Sequence, residues 1–502
     1  MPEMDAILVY DIGTTGLKCA AFSLSGVELR SATSTYRTFY PEVGRAEQDA
    51  EDFWTAAVEA TGRVLSGGAV KRARILTIGL SGHMNGCLPV DGEGRPLCRE
   101  IIHSDSRSVA ECADILRTVP HETVYALTGN RVDEHLSLPK ILWIKKNRPD
   151  LYRKTAFFLN SKDWLRGRLT GLGGQTDYSD ASLVCAMDLR AGAWSRTLLK
   201  EVGLDPAKFP EIRPSAEFCG GLSREAARAL GLAEGLPVVF GGGDAACATR
   251  GAGVTDTSSA YANIGSSAWI STLAEGPVMD PAMRMQNFCD LDGRKCNVCG
   301  TVQSAGIAVD WALSLISGDR AAMDEAVSSV PPGSDGILFA PYLMGERTPH
   351  WDANARGCFV GLSLYHGRAA LIRAVYEGVA FALRDVFGIY RELGMSPCGL
   401  TLLGGGARSP VWRGIVAEVL GRPVLPHASP TNATCLGAAM AAGTGAGVWR
   451  SLDEAALIAK TMPEETPDPG RAAVYDRLYP IYSCLYERMK PIFDELALIR
   501  SF

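Results

Sequence analysis

The sequence predicts an α/β protein of two domains, and three observations carry that prediction. A chain of 502 residues is too long for one hydrophobic core. Short apolar runs that read as buried strands alternate with longer stretches of helical periodicity. One pattern also occurs twice, about half the chain apart: an apolar strand, a Gly with two hydroxyl residues, then a second strand. Its copies centre on Gly13-Thr14-Thr15 and Gly265-Ser266-Ser267. Self-similarity of this kind marks an internal duplication. The division then falls between Asp244 and Tyr261, near Gly253-Val254-Thr255-Asp256, giving domains 1–253 and 254–502.

Composition narrows the function classes. Hydrophobic residues make up 47% and charged residues 21%, with 54 glycines, as in a globular α/β protein. A net charge of −6 without blocks of like charge gives no reason to expect a nucleic-acid partner. No apolar run approaches the roughly 20 residues that span a bilayer. The acidic start Met1-Pro2-Glu3-Met4-Asp5 has no secretory pattern, so no membrane partner and a cytoplasmic location are expected. The 14 scattered cysteines are expected to be reduced and mostly buried. Cys296-Asn297-Val298-Cys299 is a lone pair without a second pair or a His cluster, which argues against zinc.

The first strand is Ile7-Leu8-Val9, and it runs through Asp11 into Gly13-Thr14-Thr15-Gly16. The two glycines suit a tight hairpin. The turn also brings two hydroxyls, with Asp11 before it and Lys18 after it. Backbone N–H groups, hydroxyls and a cation suit a phosphate chain, and a carboxylate suits the water shell of Mg²⁺. An ordinary hairpin remains the plain alternative. Asp49 to Leu65 follows as a helix with Phe53, Trp54, Ala57, Val58, Ala60, Val64 and Leu65 largely on one face. Ile75 to Leu80 reads as a buried strand entering the loop Ser81-Gly82-His83-Met84-Asn85-Gly86. Ile101-Ile102 is a strand end leading to His103-Ser104-Asp105. In open α/β sheets ligands lie at the carboxyl ends of strands. Both loops leave such ends with side chains able to bind a hydroxylated substrate, or merely to cap the turns.

Leu136 to Asn147, with Pro139-Lys140-Ile141-Leu142-Trp143, is an amphipathic helix with an early proline, and Gly173 to Asp180 is expected as a polar loop. Pro237 to Phe240 is a strand ending in Gly241-Gly242-Gly243-Asp244 and a small-residue helix. Asp244 sits where the helix dipole favours its ionised form, so it can serve as a base, or simply cap the helix. In the second half, Ser304 to Trp311 is a helix opened by small residues, and 369–393 is a long helix with Leu371, Ile372, Val375, Val379 and Leu383 inward. Leu400 to Leu403 leads into Gly404-Gly405-Gly406, bare backbone that suits the close approach of a nucleotide. Cys435 to Ala442 is a small-residue helix that packs tightly on a neighbour or leaves room for an adenine ring.

Taken in order, DIGTTGLK, GLSGHMNG, HSDSR, LPKILW, GGGDAA, IGSSAW, PYLMGERTPH, ARGCFVGLSLYHGRAALIRAVYEG and GGGARSPVW resemble the FGGY family of carbohydrate kinases, most of all its xylulokinases, from Tyr10 to about Trp449. The resemblance implies two ribonuclease H-like domains of the actin/hexokinase superfamily flanking a deep cleft. It implies a kinase that uses ATP and Mg²⁺ to phosphorylate a primary hydroxyl of an open-chain ketose, D-xylulose to D-xylulose 5-phosphate. Another ketose, a polyol or a sugar acid is the alternative acceptor. A homodimer is a further expectation. Asp11 would hold Mg²⁺, and Thr14, Thr15 and Lys18 would face the transferring phosphate. Asp244 would be the base, with Met84, Asn85, His103 and Asp105 on the sugar. Gly265 and Ser266 would form the second phosphate hairpin, and Gly306, Gly405, Gly406 and Ser409 would line the nucleotide pocket.

Departures from the family pattern gather at the sugar loops. Met84-Asn85-Gly86 stands where xylulokinases usually have Met-His-Gly, His103-Ser104-Asp105 where they have Trp-Asn-Asp, and Ala245 where an Asn follows the catalytic Asp. The Arg-Glu pair of glycerol kinases is absent at Met84-Asn85. Two other classes fit less well. An ATP-driven switch of the actin or chaperone kind needs no Asp244 beside a polar sugar pocket. A dinucleotide oxidoreductase needs G-x-G-x-x-G in a βαβ unit, which neither glycine run supplies. The sequence leaves open whether Gly345 to His350 touches substrate or braces the site.

Overall fold

The computed structural model describes residues 4–66, 68–315 and 320–500. The chain divides into two compact units. The first comprises residues 1–255, 274–297 and 432–459, the second 256–273, 298–431 and 460–502.

The first unit is built on a mixed sheet. β1 (Ala6–Ile12), β2 (Gly16–Ser23) and β3 (Glu28–Thr35) form an antiparallel meander. The helix α1 (Ala50–Leu65) covers it, burying Phe53, Ala57, Ala60 and Val64, with Trp54 and Val58 at the core's edge. Each large apolar side chain buried in this way contributes about 1.5–3 kcal/mol. Asp49 starts α1 by accepting from Glu51 N. β4 (Ile75–Gly82) then lies parallel to β1 on its other side. Two further helices, α2 (Ser137–Asn147) and α3 (Ser161–Thr170), follow.

The stretch 173–180 is not the polar loop expected of it. Gln175–Asp177 is a strand, β5, and Tyr178–Leu183 is a short helix, α4, with Asp177 as its N-cap. Its polar residues are interior because they answer one another: Lys162 in α3 pairs with Asp163, Asp177 and Asp180, all fully buried. β6 (Phe218–Gly221) and β7 (Pro237–Val239) complete the sheet in the order β6-β7-β4-β1-β2-β3. The two-residue strand β8 (Gly242–Gly243) pairs with the end of β4 and opens α5 (Asp244–Gly251).

The small-residue helix Ala433–Gly445 belongs to this first unit, where it packs on α5 and β4. A Cβ on Gly251 would lie 1.8 Å from Ala433 O, and one on Gly437 1.8 Å from Cys247 O. Close packing, one of the uses its sequence suggests, is realised here.

The second unit repeats the design. β9 (Ser259–Ile264) and β10 (Ala268–Ala274) form the second hairpin, and β11 (Cys296–Val302) lies beside β10. After α6 (Gly306–Leu315) and the 25-residue α7 (Arg368–Glu392), β12 (Gly399–Leu403) runs parallel to β9. α8 (Pro410–Leu420) and β13 (Val424–Pro426) close the order β11-β10-β9-β12-β13. This matches β3-β2-β1-β4-β7 strand for strand, so the sequence duplication is a duplication of topology. In α7, Ile372, Val375, Val379 and Leu383 are buried as expected, while Leu371 is half-exposed.

All 14 cysteines are free, ten of them buried, and the Cys296–Cys299 pair lies inside β11. Among the described residues no helix is long and apolar enough to cross a membrane.

Candidate active site

Strand register assembles the site in the first unit. Asp11 on β1 is level with Ser81 on β4, and Ser81 is level with Gly242 on β8. Ile12, Gly82 and Gly243 are level one residue further on. Three parallel strands therefore end together, and Asp11, the His83–Gly86 loop and Asp244 leave from those ends. The loop is tied directly to the first strand, since His83 N donates to Ile12 O at 2.9 Å.

The three glycines before Asp244 are required by packing. At Gly241, with φ of 72°, a Cβ would come 2.2 Å from Leu80 O. At Gly242 it would meet Leu291, and at Gly243 it would lie 2.5 Å from Met84 Cγ and Sδ. Met84 thus lies directly on the turn that carries Asp244. Gly243 caps α5, and Asp244 is its first residue, with Oδ1 accepting from Ala245 N at 2.7 Å. The carboxylate is half-exposed, yet burial of its surroundings and the charge of Asp11 push its pKa up to about 7. Burial also raises Asp11, against the lowering effects of Ser81 and Lys18. A carboxylate such as Asp11 beside the turn is a hard oxygen donor of the kind that suits Mg²⁺.

The hairpin turn 13–16 closes with Gly13 N donating to Gly16 O at 3.0 Å. Thr14 is half-exposed and Thr15 exposed, leaving both hydroxyls accessible, while Thr14 O accepts from Gln48 Nε2 at 2.6 Å. Lys18 Nζ donates to Asn432 Oδ1, whose amide in turn donates to Glu28.

Beside Met84, the loops carry Asn85, with a left-handed φ of 65°, and His103, whose ring centroid is 5.7 Å from that of His83. His83 is buried and held neutral: burial, His103 and Lys140 bring its pKa to about 3. Below it Glu100 is fully buried, with Oε1 accepting from Ser161 N at 3.0 Å and a pKa pushed up to about 8 by burial. Asp105 departs from the expected sugar contact. It is fully buried, with Oδ2 accepting from Ala46 N at 2.6 Å and both oxygens bonded to Arg107. Its lone pairs are engaged in bracing the loop, while His103, two residues before it, is half-exposed.

In the second unit the same strand-end logic gathers the other expected residues. Gly265 N donates to Ser267 O at 2.9 Å, and Gly265 and Ser266 are exposed. The start of α6 sits on that turn: Gly306 N donates to Gly265 O at 2.8 Å, and Ala305 N to Ser266 O at 2.9 Å. A Cβ on Gly306 would fall 2.4 Å from Gly265 O. Gly404, with φ of 80°, and Gly406 pack on Asn263 and Ile264 at the end of β9, whereas around Gly405 a Cβ would meet nothing within 4 Å. Ser409 is the N-cap of α8, its Oγ accepting from Trp412 N at 3.1 Å. In the Gly345–His350 loop, Glu346 is buried and accepts from Gln303 N and Arg347 N, which makes it a brace.

Several residues with no sequence motif of their own support the first-unit site. Ser179 Oγ accepts from Gly243 N at 2.8 Å and donates to Asp177, which ties the Asp244 turn to the buried Lys162 cluster. Lys140 Nζ donates to Asn85 O and Ile102 O, supporting both loops. A lysine within the apolar run Pro139-Lys140-Ile141-Leu142 is the one local sign of it.

Known proteins share this chain's sequence pattern and fold. A sequence model for the FGGY family of carbohydrate kinases, N-terminal domain, matches residues 6–251, and that for the C-terminal domain of the family matches residues 260–446. The chain belongs to the FGGY family of carbohydrate kinases. Among FGGY relatives, the xylulose kinase of Escherichia coli (strain K12) is 32% identical over 486 residues, covering 96% of this chain and 99% of that one. The gluconokinase of Bacillus subtilis (strain 168) is 29% identical over 505 residues, covering 98% and 97%. The crystal structure of a xyloylose kinase from Brucella ovis superposes with a TM-score of 0.92 at 29% identity, covering 97% of this chain and 100% of that one. This FGGY chain is accordingly a carbohydrate kinase, an enzyme acting on a sugar and ATP.

Proposed function

We propose that this kinase phosphorylates the primary hydroxyl of a neutral open-chain ketose, with D-xylulose converted to D-xylulose 5-phosphate as the leading case. The reading rests chiefly on Met84 lying against Gly243, which puts an acceptor loop and the Asp244 carboxylate at one spot. In this reading the first unit holds the acceptor and the second the nucleotide. Asp244 orients the attacking hydroxyl and accepts its proton. A base with a pKa near the working pH is suited to that step. Thr14, Thr15 and Lys18 face the phosphate being transferred. Asp11 is the residue that would hold Mg²⁺, which when bound neutralises charge on the phosphates. Gly265, Ser266 and Gly405 offer exposed backbone to the nucleotide, with Gly306 and Gly406 packed behind that surface and Ser409 fixing the start of the following helix.

A sugar acid is the second reading, since a gluconokinase is among the relatives. The charge around the acceptor loops favours a neutral chain. Asp11 and Asp244 are acids, while Lys140 is bonded to backbone carbonyls and Arg107 is paired with Asp105 and Glu47. A substrate carboxylate there would gain no unengaged cation from Lys140 or Arg107. A coupled ADP-release assay over ketoses, polyols and sugar acids tests the assignment. D-xylulose is expected to give the highest kcat/KM, and a higher value for D-gluconate would reverse it.

A further inference from the structure

Both acceptor loops are held by their backbone from one place, the first turns of α2. Lys140 is fully buried there. Its Nζ donates to three main-chain carbonyls in three separate segments: Asn85 at 2.8 Å, Ile102 at 2.9 Å and His135 at 2.7 Å. Three ammonium donors meet three acceptors. One turn earlier, Ser137 Oγ donates to Gly86 O at 2.8 Å.

Packing alone does not call for a lysine at this position. Burying an ammonium is costly unless it is fully bonded, and a methionine of similar length would fill the same space without that cost. What the lysine adds is a fixed relation between two loops. Asn85 sits at a left-handed φ, a conformation that persists only where its surroundings enforce it. The enforcing bonds are Lys140 on Asn85 O and Ser137 on the next carbonyl, Gly86 O. The resulting side-chain placement leaves Asn85 Oδ1 buried with no hydrogen-bond partner, an acceptor suited to a substrate hydroxyl. The third point is Ile102 O, immediately before His103.

We propose that Lys140 is a positioning residue for acceptor selectivity: by gripping the Asn85 and Ile102 carbonyls together, it sets the spacing of Asn85 and His103 along the hydroxyls of one open chain. The proposal rests on the acceptor-loop reading above. Selectivity among sugars is then a property of two loops held in common. Replacing Asn85 or His103 alone would not transfer it from one acceptor to another, because a group placed at the wrong spacing leaves buried polar atoms unpaired.

The test uses the full-length enzyme with Lys140→Met and Ser137→Ala, thermal melts to confirm folding, and kcat/KM for D-xylulose, D-ribulose, xylitol and D-gluconate. Lys140→Met is expected to lower kcat/KM for the preferred acceptor about 100-fold, the loss that a shift near 1 Å produces. Poorer acceptors are expected to lose less than about tenfold, so that the preference flattens. Ser137→Ala, which removes one bond from the same loop, is expected to act in the same direction by about fivefold. It decides the matter if Lys140→Met does not fold. An equal loss for every acceptor in a folded variant would mean only fewer active molecules and would overturn the proposal. A wild-type enzyme that phosphorylates none of the four would overturn the acceptor-loop reading and this inference with it. An active wild type with unchanged ratios in the variants would overturn the inference alone.

Discussion

The two hairpins are the same structure with different chemistry. Asp11-Ile12-Gly13-Thr14-Thr15-Gly16-Leu17-Lys18 stands over Asn263-Ile264-Gly265-Ser266-Ser267-Ala268-Trp269-Ile270, position for position. Each joins the first strand of its sheet to an antiparallel second, and that first strand also lies parallel to a strand from later in the chain. The first copy carries a carboxylate and a lysine where the second has an amide and an isoleucine. The elements beside them differ in the same sense. Gly241-Gly242-Gly243 runs into Asp244, while Gly404-Gly405-Gly406 runs into Ala407. Duplication preserved the backbone turn, whose N–H groups and hydroxyls suit phosphate in either copy. The charged groups that suit metal binding and proton transfer stand in one copy alone. What the fold repeats is a backbone geometry, and what it does not repeat is the charge set upon it.

The comparison breaks most visibly at Asp244. Asp244→Ala should lower kcat by about 10³-fold, within the range for loss of a general base. Calorimetric titration should still show ATP binding. Near wild-type turnover in that variant would remove the distinction between the copies. Asp11→Asn, which gives the first hairpin the amide of the second, should be next. Turnover should fall about 100-fold, the scale set by one preorganised charged group at the transferring phosphate, and the Mg²⁺ concentration for half-activation should rise. The same change should alter how Asp244 titrates. Asp11 raises the pKa of Asp244, so without its charge the carboxylate should lose its proton at lower pH. Carboxyl ¹³C NMR of the metal-free protein should give a midpoint of about 7 for Asp244 in the wild type and a lower one in the variant. An unchanged midpoint would show that the two carboxylates do not sense each other.

The smallest effects should come from the uncharged copy. At Gly405 a Cβ meets nothing within 4 Å, so Gly405→Ala should change stability by no more than about 0.5 kcal/mol. A rise in the KM for ATP with an unaltered melting temperature would identify that backbone as nucleotide-facing. Gly306→Ala, with its Cβ at 2.4 Å from Gly265 O, should lower the melting temperature as well, because the strand-end turn itself must move.

The duplicated hairpins, the helix at Asp244 and the long helix near 369–393 could be read from the sequence because their signals are local. Periodicity, paired glycines and a strand-to-helix transition are carried by neighbouring residues. The stretch 173–180 misled because its polarity is satisfied by Lys162, a partner that no local pattern names. Asp105 misled for a similar reason. A carboxylate on a loop at a strand end is a fair substrate contact until Arg107, two residues on, is seen to take both its oxygens. Lys140 and Ser179 act through backbone groups of distant segments, and a hydrogen bond to a carbonyl or an N–H leaves no trace in the identity of the residue that receives it. The helix Ala433–Gly445 had close packing open to it from composition, and the carbonyls of Ala433 and Cys247, set against Gly251 and Gly437, show it realised.

That helix also bears on how the molecule is made. The first compact unit draws residues 432–459 from beyond most of the second. During synthesis, β1 and β4 leave the ribosome long before the helix that covers them exists. Domains generally fold as units in the order in which they emerge, but here the amino-terminal unit must wait with one face of its sheet open until most of the carboxy-terminal unit has been translated. A nascent chain stalled before Asn432 would expose Ile7, Gly79 and their neighbours to chaperones, and the two units would be expected to reach their final states together at the end of translation.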